Sequence, residues 1–207
     1  MLSSVEDDRG RSAERLITFT DAVVAIAITL LVLPLIEVLG GGSDADLGTV
    51  LGDHLDQFGA FALSFVVIGR LWLAHHRLVE FVGAYDVPFL WVNLLWAFTI
   101  VVLPFSTQVI AEFGTGRLSV GLYVGTVAAS SAATMVLTLL LQRRAPLRRE
   151  GVTSADVDAT PVVVNTTLLV LALLLGVGFR SVNFYALFLL FLSGPVERLA
   201  RLARPRG

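Results

Sequence analysis

The chain has 207 residues, 56% hydrophobic and 15% charged, with a mean hydropathy of +0.81. Soluble domains carry roughly 25% charged residues; too little polar surface remains here to cover a soluble core, and the composition points to an integral membrane protein. The formal charge is −2 and cysteine is absent, which excludes disulfides, thiolate metal sites and cysteine nucleophiles.

Met1 to Glu14 is acidic and polar and lacks a signal-peptide layout, so the first apolar segment is expected to stay in the protein. A membrane-spanning helix needs about 20 mostly apolar residues. Six segments qualify, in chain order 19–38, 55–74, 87–111, 118–141, 161–179 and 181–199. None alternates with period two, which argues against a β-barrel. The expected fold is an all-α integral membrane protein, a single domain of six transmembrane helices.

Every basic residue is arginine, and the arginines lie at helix ends rather than on one face, which argues against nucleic-acid binding. Their placement is lopsided. Arg9, Arg11 and Arg15 precede the first segment, Arg70 and Arg77 border the second connection, and Arg143, Arg144, Arg148 and Arg149 lie in the fourth. Arg198, Arg201, Arg204 and Arg206 fill the tail, leaving Arg117 and Arg180 for the other side. The positive-inside rule therefore places both termini in the cytoplasm. Trp72 and Trp91 fall at the same boundary, and residues 142–160 form a cytoplasmic loop too short for a soluble domain. On the opposite side the first connection carries Glu37, Asp44, Asp46, Asp53, Asp56 and His54, without arginine. It reads either as a vestibule that concentrates cations or as a solvated Gly/Asp loop.

The first segment holds most of the chemistry. At 100° per residue, Phe19, Ile26, Leu30, Leu33 and Glu37 fall within an arc of about 60°. Thr29 flanks this stripe and Asp21 lies almost opposite. An ionisable residue inside a span is usually paired or functional, so Asp21 is expected to find a partner on a neighbouring helix. Arg15 is out of register with Asp21 and needs its own. Arg70, His75, His76 and Arg77 sit at the same depth on the second segment, and Asn93 on the third; a polar cluster joining these helices competes with simple interfacial solvation. Adjacent His75 and His76 point about 100° apart, which disfavours a shared metal ion, and no fixed metal or cofactor site is expected. Thr29 either returns its hydroxyl to the Ala25 carbonyl or edges a conduction path.

Arg15-x-x-x-Phe19-Thr20-Asp21, followed by Ala25-Ile26-Ala27-Ile28-Thr29-Leu30-Leu31-Val32-Leu33, resembles the signature of the transmembrane protein 175 family, prokaryotic relatives of the endosomal and lysosomal potassium channel. The run from Ile68 to Arg77, then Trp91-Val92-Asn93-Leu94-Leu95 and Leu103-Pro104-Phe105, is similar to that family's second and third helices. The resemblance implies a K+-permeable homotetrameric channel of the bacterial plasma membrane, its pore surrounded by the first helix of each subunit. It implies a hydrophobic constriction at Ile26, Leu30 and Leu33, a selectivity role for Thr29, and a structural motif of Arg15, Phe19, Thr20 and Asp21. Thr20 replaces the usual serine and keeps a hydroxyl. Pro34 stands where an acid often follows, and Glu37 is a candidate for the outer mouth. No TVGYG-type filter is present, so selectivity of K+ over Na+ is expected to be modest.

Two rivals stay open. A cation- or proton-coupled secondary transporter usually shows buried charge near the midplane, which is scarce here. A noncatalytic membrane scaffold is the other. No nucleophile–base spacing stands out, so an enzyme is not expected.

Overall fold

The computed structural model describes residues 2–40 and 46–178. The sixth predicted segment, 181–199, and Asp44 of the first connection lie outside these residues. Helix α1 spans Leu2–Leu30 and α2 spans Leu33–Gly40. The first segment therefore differs from the predicted 19–38 in two ways. It begins much earlier, because the polar N-terminal residues contain no proline to stop the helix. It is also broken, at Leu31 and Val32. Pro34 has no N–H to return to the Leu30 carbonyl, yet its fixed φ suits the first turn of a new helix. Across the break, Leu31 and Val32 donate only three residues back, to Ile28 and Thr29, at 3.3 Å each.

The first connection is partly helical rather than a plain loop. Helix α3, Leu47–Asp53, is capped by Asp46, whose carboxylate accepts from the Gly48 amide. Helix α4 spans Leu55–Val79 and α5 spans Val87–Phe113. Asp86 caps α5 by accepting from the Phe89 amide, with Pro88 in the first turn. Gly114 ends α5 at φ 69°, a left-handed conformation that favours glycine. Helix α6 spans Arg117–Arg143 and α7 spans Thr160–Gly178. Among the described residues, four stretches are long and apolar enough to cross a membrane: Ala13–Val38, Leu55–Val79, Val87–Phe113 and Arg117–Arg143. The apolar stretch Thr160–Leu175 is shorter.

Helices α5 and α6 form the central pair, with α1 and α4 packed on α5 and α7 on α6. In lipid, close packing and interhelical hydrogen bonds hold helices together more than water exclusion does. Both devices are present. Small residues Ala128, Ser131 and Ala133 are buried on α6, and Ser131 bonds Thr166 and Asn165 of α7. Ser64 of α4 joins Thr107 of α5 and Tyr123 of α6.

A second core lies at the arginine-bearing end. There Ala13 of α1 is buried with Leu78, Phe89, Leu141, Leu147 and Val157, and Leu16 and Ile17 pack against them. The connection over 142–160, read from sequence as a loop, folds onto this core through Leu147 and Val157. Gly83 and Ala84 amides donate to Leu147 O, and the Arg149 amide donates to Phe81 O. Arg148 donates to Leu141 O and Gln142 O, closing the carbonyl end of α6. Arg144 pairs with Asp86, and Gln142 donates to Val157 O. Only glycine fits at position 83, where a Cβ would come within 2.8 Å of Arg149 Cα.

Candidate functional site

Helix α1 has two unlike faces. Thr20, Val24, Ala27 and Leu31 are buried against α4 and α5. The other face is uncovered among the described residues: Phe19 is 50% exposed, Ile26 60%, Leu30 40% and Leu33 51%. Arg15, Thr29 and Glu37 are exposed on the same side. Exposure continues past the break, at Leu33, Ile36 and Glu37 of α2. Thr29 donates its hydroxyl to Ile26 O at 2.8 Å, three residues back, where the return read from sequence as one of two alternatives is to Ala25 O. The three-residue return is the geometry of a tightening helix end, and it turns the hydroxyl toward the stripe residue Ile26.

The buried face is fixed by a hydrogen-bonded chain across three helices. Thr20 spends its hydroxyl hydrogen on Leu16 O at 2.8 Å. Its oxygen can then only accept, and Asn93 Nδ2 donates to it at 2.9 Å. That fixes the Asn93 amide, so Oδ1 faces His75 Nε2 at 2.8 Å and the imidazole nitrogen is the donor. His75 in turn stacks on Trp96, with ring centroids 3.9 Å apart and planes 19° apart. Thr20, His75 and Asn93 are each 1% exposed. Each such bond contributes about 0.6–2 kcal/mol between membrane helices.

Asp21 lies beside this chain, half-buried, and accepts from Trp72 Nε1 at 2.8 Å. Trp72 also lies against His76, 5.0 Å between centroids. Of the residues expected to cluster, His75 and Asn93 are joined, through Thr20, to α1, and Asp21 meets Trp72, which lies against His76; Arg15 of α1 and Arg70 and Arg77 of α4 occupy exposed positions. Sequence reasoning placed Trp72 in an interfacial belt and did not single out Trp96. Trp72 precedes His76 by four residues, the spacing of one helix face, and its indole N–H is a donor at the depth of Asp21. Trp91, 67% exposed, keeps a position suited to a belt. Among the described residues no three His, Asp or Glu side chains gather as a metal site.

Comparison with known proteins bears directly on these helices. Residues 15–104, from the start of the stripe to Pro104 of α5, match the family model described as endosomal/lysosomal potassium channel TMEM175. Over that segment the chain is similar to the TMEM175 family. A Streptomyces collinus protein named as a potassium channel is 35% identical over 99 residues, 48% of each chain. A Chryseobacterium protein of the same name is 32% identical over 129 residues, 62% of this chain and 65% of the relative. The chain therefore spans about half to two thirds of the length of these relatives. The crystal structure of a lysosomal potassium-selective channel TMEM175 homologue from Chamaesiphon minutus superposes with a TM-score of 0.71 at 24% identity. It covers 92% of this chain and 98% of that one, and the likeness establishes a TMEM175 fold.

Proposed function

We propose that this chain is a potassium-permeable channel, not an enzyme, in which α1 from several copies, four by family resemblance, surrounds the pore. The observation that carries this reading is the uncovered stripe of Phe19, Ile26, Leu30 and Leu33 on a helix whose opposite face is pinned. Bacterial relatives named as potassium channels add support. The chain has six spans, both termini lie in the cytoplasm, and the membrane is the bacterial plasma membrane. Rings of Ile26, Leu30 and Leu33 form a dry neck that stops ions by dewetting. Aliphatic groups coordinate no ion, so K+ is favoured over Na+ only modestly, with the Thr29 hydroxyl as the oxygen nearest the neck. Glu37 adds negative charge at the outer mouth and raises the local cation concentration. No cofactor takes part.

The test is cation flux through purified protein in liposomes under opposed K+ and Na+ gradients. The reversal potential should favour K+, and Ile26→Asn should raise flux while weakening that preference. An Ile26→Asn protein with unchanged flux and permeability ratio would remove Ile26 from the neck. Saturable flux that follows a proton gradient would favour the transporter.

A further inference from the structure

The break between α1 and α2 leaves two carbonyls without their helical donors. Pro34 has no N–H for Leu30 O, and the Leu35 amide turns to Val32 O instead of Leu31 O. Among the backbone bonds at the break, none ends on Leu30 O or Leu31 O. Both residues line a cavity of about 20 Å³, together with Pro34, Gln57, Thr107 and Gln108. Gln57 Oε1 is buried there with no protein donor. The other polar side chains are committed elsewhere: the Thr107 hydroxyl is bonded to Ser64 Oγ and Leu103 O, and Gln108 Nε2 donates to Glu112. Gln57 Oε1 and the two released carbonyls are therefore acceptors left without protein donors.

Unmet acceptors at membrane depth are unfavourable, and ordered water is one of the ways in which freed helix carbonyls are satisfied. The space fits about one water molecule. Leu30 also ends a 29-residue helix, whose carbonyl end carries partial negative charge and attracts donors. No carboxylate lines the cavity, so a stripped cation would gain too little to offset its lost hydration. We propose that this cavity binds a single water molecule that donates one hydrogen to Leu30 O and the other to Gln57 Oε1, bridging the break to α4. The water fixes the angle at which α2 leaves α1. Because α2 carries Leu33 and Glu37, the outer end of the stripe, the site also sets the geometry of the outer neck; that consequence rests on the channel reading.

A double-mutant cycle tests the site in the full-length protein. Pro34→Ala restores an N–H to Leu30 O, and Gln57→Met removes the acceptor at similar volume. In the wild-type background Gln57→Met should lower the melting temperature and change K+ flux about fivefold, the effect of one net hydrogen bond. In the Pro34→Ala background it should be neutral or stabilising, because no bridge remains to be lost. Equal shifts in both backgrounds would overturn the bridge. A high-resolution map should show density between Gln57 and the break in wild type and none in Pro34→Ala. Anomalous scattering there from Rb+ would replace water with a cation and overturn the proposal. If wild-type protein conducts nothing, the channel reading falls, while the melting-temperature cycle still decides the site.

Discussion

The two ends of α1 are held by different means. At the arginine-bearing end, Thr20 is locked into Asn93 and His75, Asp21 receives the Trp72 indole, and Ala13 is buried in a core shared with the connection after α6. At the other end the helix is interrupted, its carbonyls are released, and Leu33 and Ile36 of α2 are more than half exposed. A helix fixed at one end and hinged at the other can alter the width of its outer half without losing its place in the bundle. The difference suits the arginine-bearing end to anchoring and, on the proposed channel reading, the far end to adjustment.

The strongest way to break this contrast is to cut the anchor. Asn93→Leu leaves the His75 N–H without an acceptor at a fully buried site, a loss of about 1–3 kcal/mol. The melting temperature of the purified protein should fall by several degrees, and no fall would mean that the chain through Thr20 does not anchor α1. Next in size is Gly83→Ala. Its new methyl meets the backbone of Arg149, and overpacking of this kind destabilises by about 1–3 kcal/mol, here concentrated on the connection. Residues 144–159 should become sensitive to limited proteolysis while the spans stay protected; equal resistance to wild type would show that the docked connection gives way freely.

The smallest effect sharpens the same end. Asp156 accepts from the amide and hydroxyl of Thr153, and these bonds hold its carboxyl below the ordinary range. A lowered folded-state value means that the turn's stability is full above the unfolded carboxylate pKa and is lost as pH falls through the lowered one. Amide exchange at Thr153 should quicken at that acid limit, and Asp156→Asn should flatten the profile. A profile unchanged by Asp156→Asn would assign the titration to another group.

The stripe was legible because the angle per residue is a constant of the helix: once Ile26 was placed, Leu30, Leu33 and Asp21 followed. Asp21 was correctly expected to need a partner, but its identity was hidden. Trp72 is read from composition as an apolar belt residue, and only the packing of α4 on α1 brings its single N–H to the carboxylate. Pro34 announced a disturbance, yet an uninterrupted apolar run concealed that the helix ends and restarts. The long N-terminal part of α1 and the docked connection were missed for a related reason. Neither carries a hydrophobic period of its own, and the connection is ordered through contacts of Leu147 and Val157 with distant residues such as Leu78 and Phe89.

The absence of native cysteine permits the most direct test of the central claim, that the uncovered face of α1 lines an ion path. Single cysteines would be placed at Ile26 and Leu30, on the stripe, and at Ala27, on the buried face. K+ flux in liposomes would be followed while a charged, water-soluble thiol reagent is added. The account predicts that Ile26→Cys and Leu30→Cys are blocked and Ala27→Cys is not. Block at Ala27→Cys alone, or an active Ile26→Cys channel that is modified without losing flux, would contradict it.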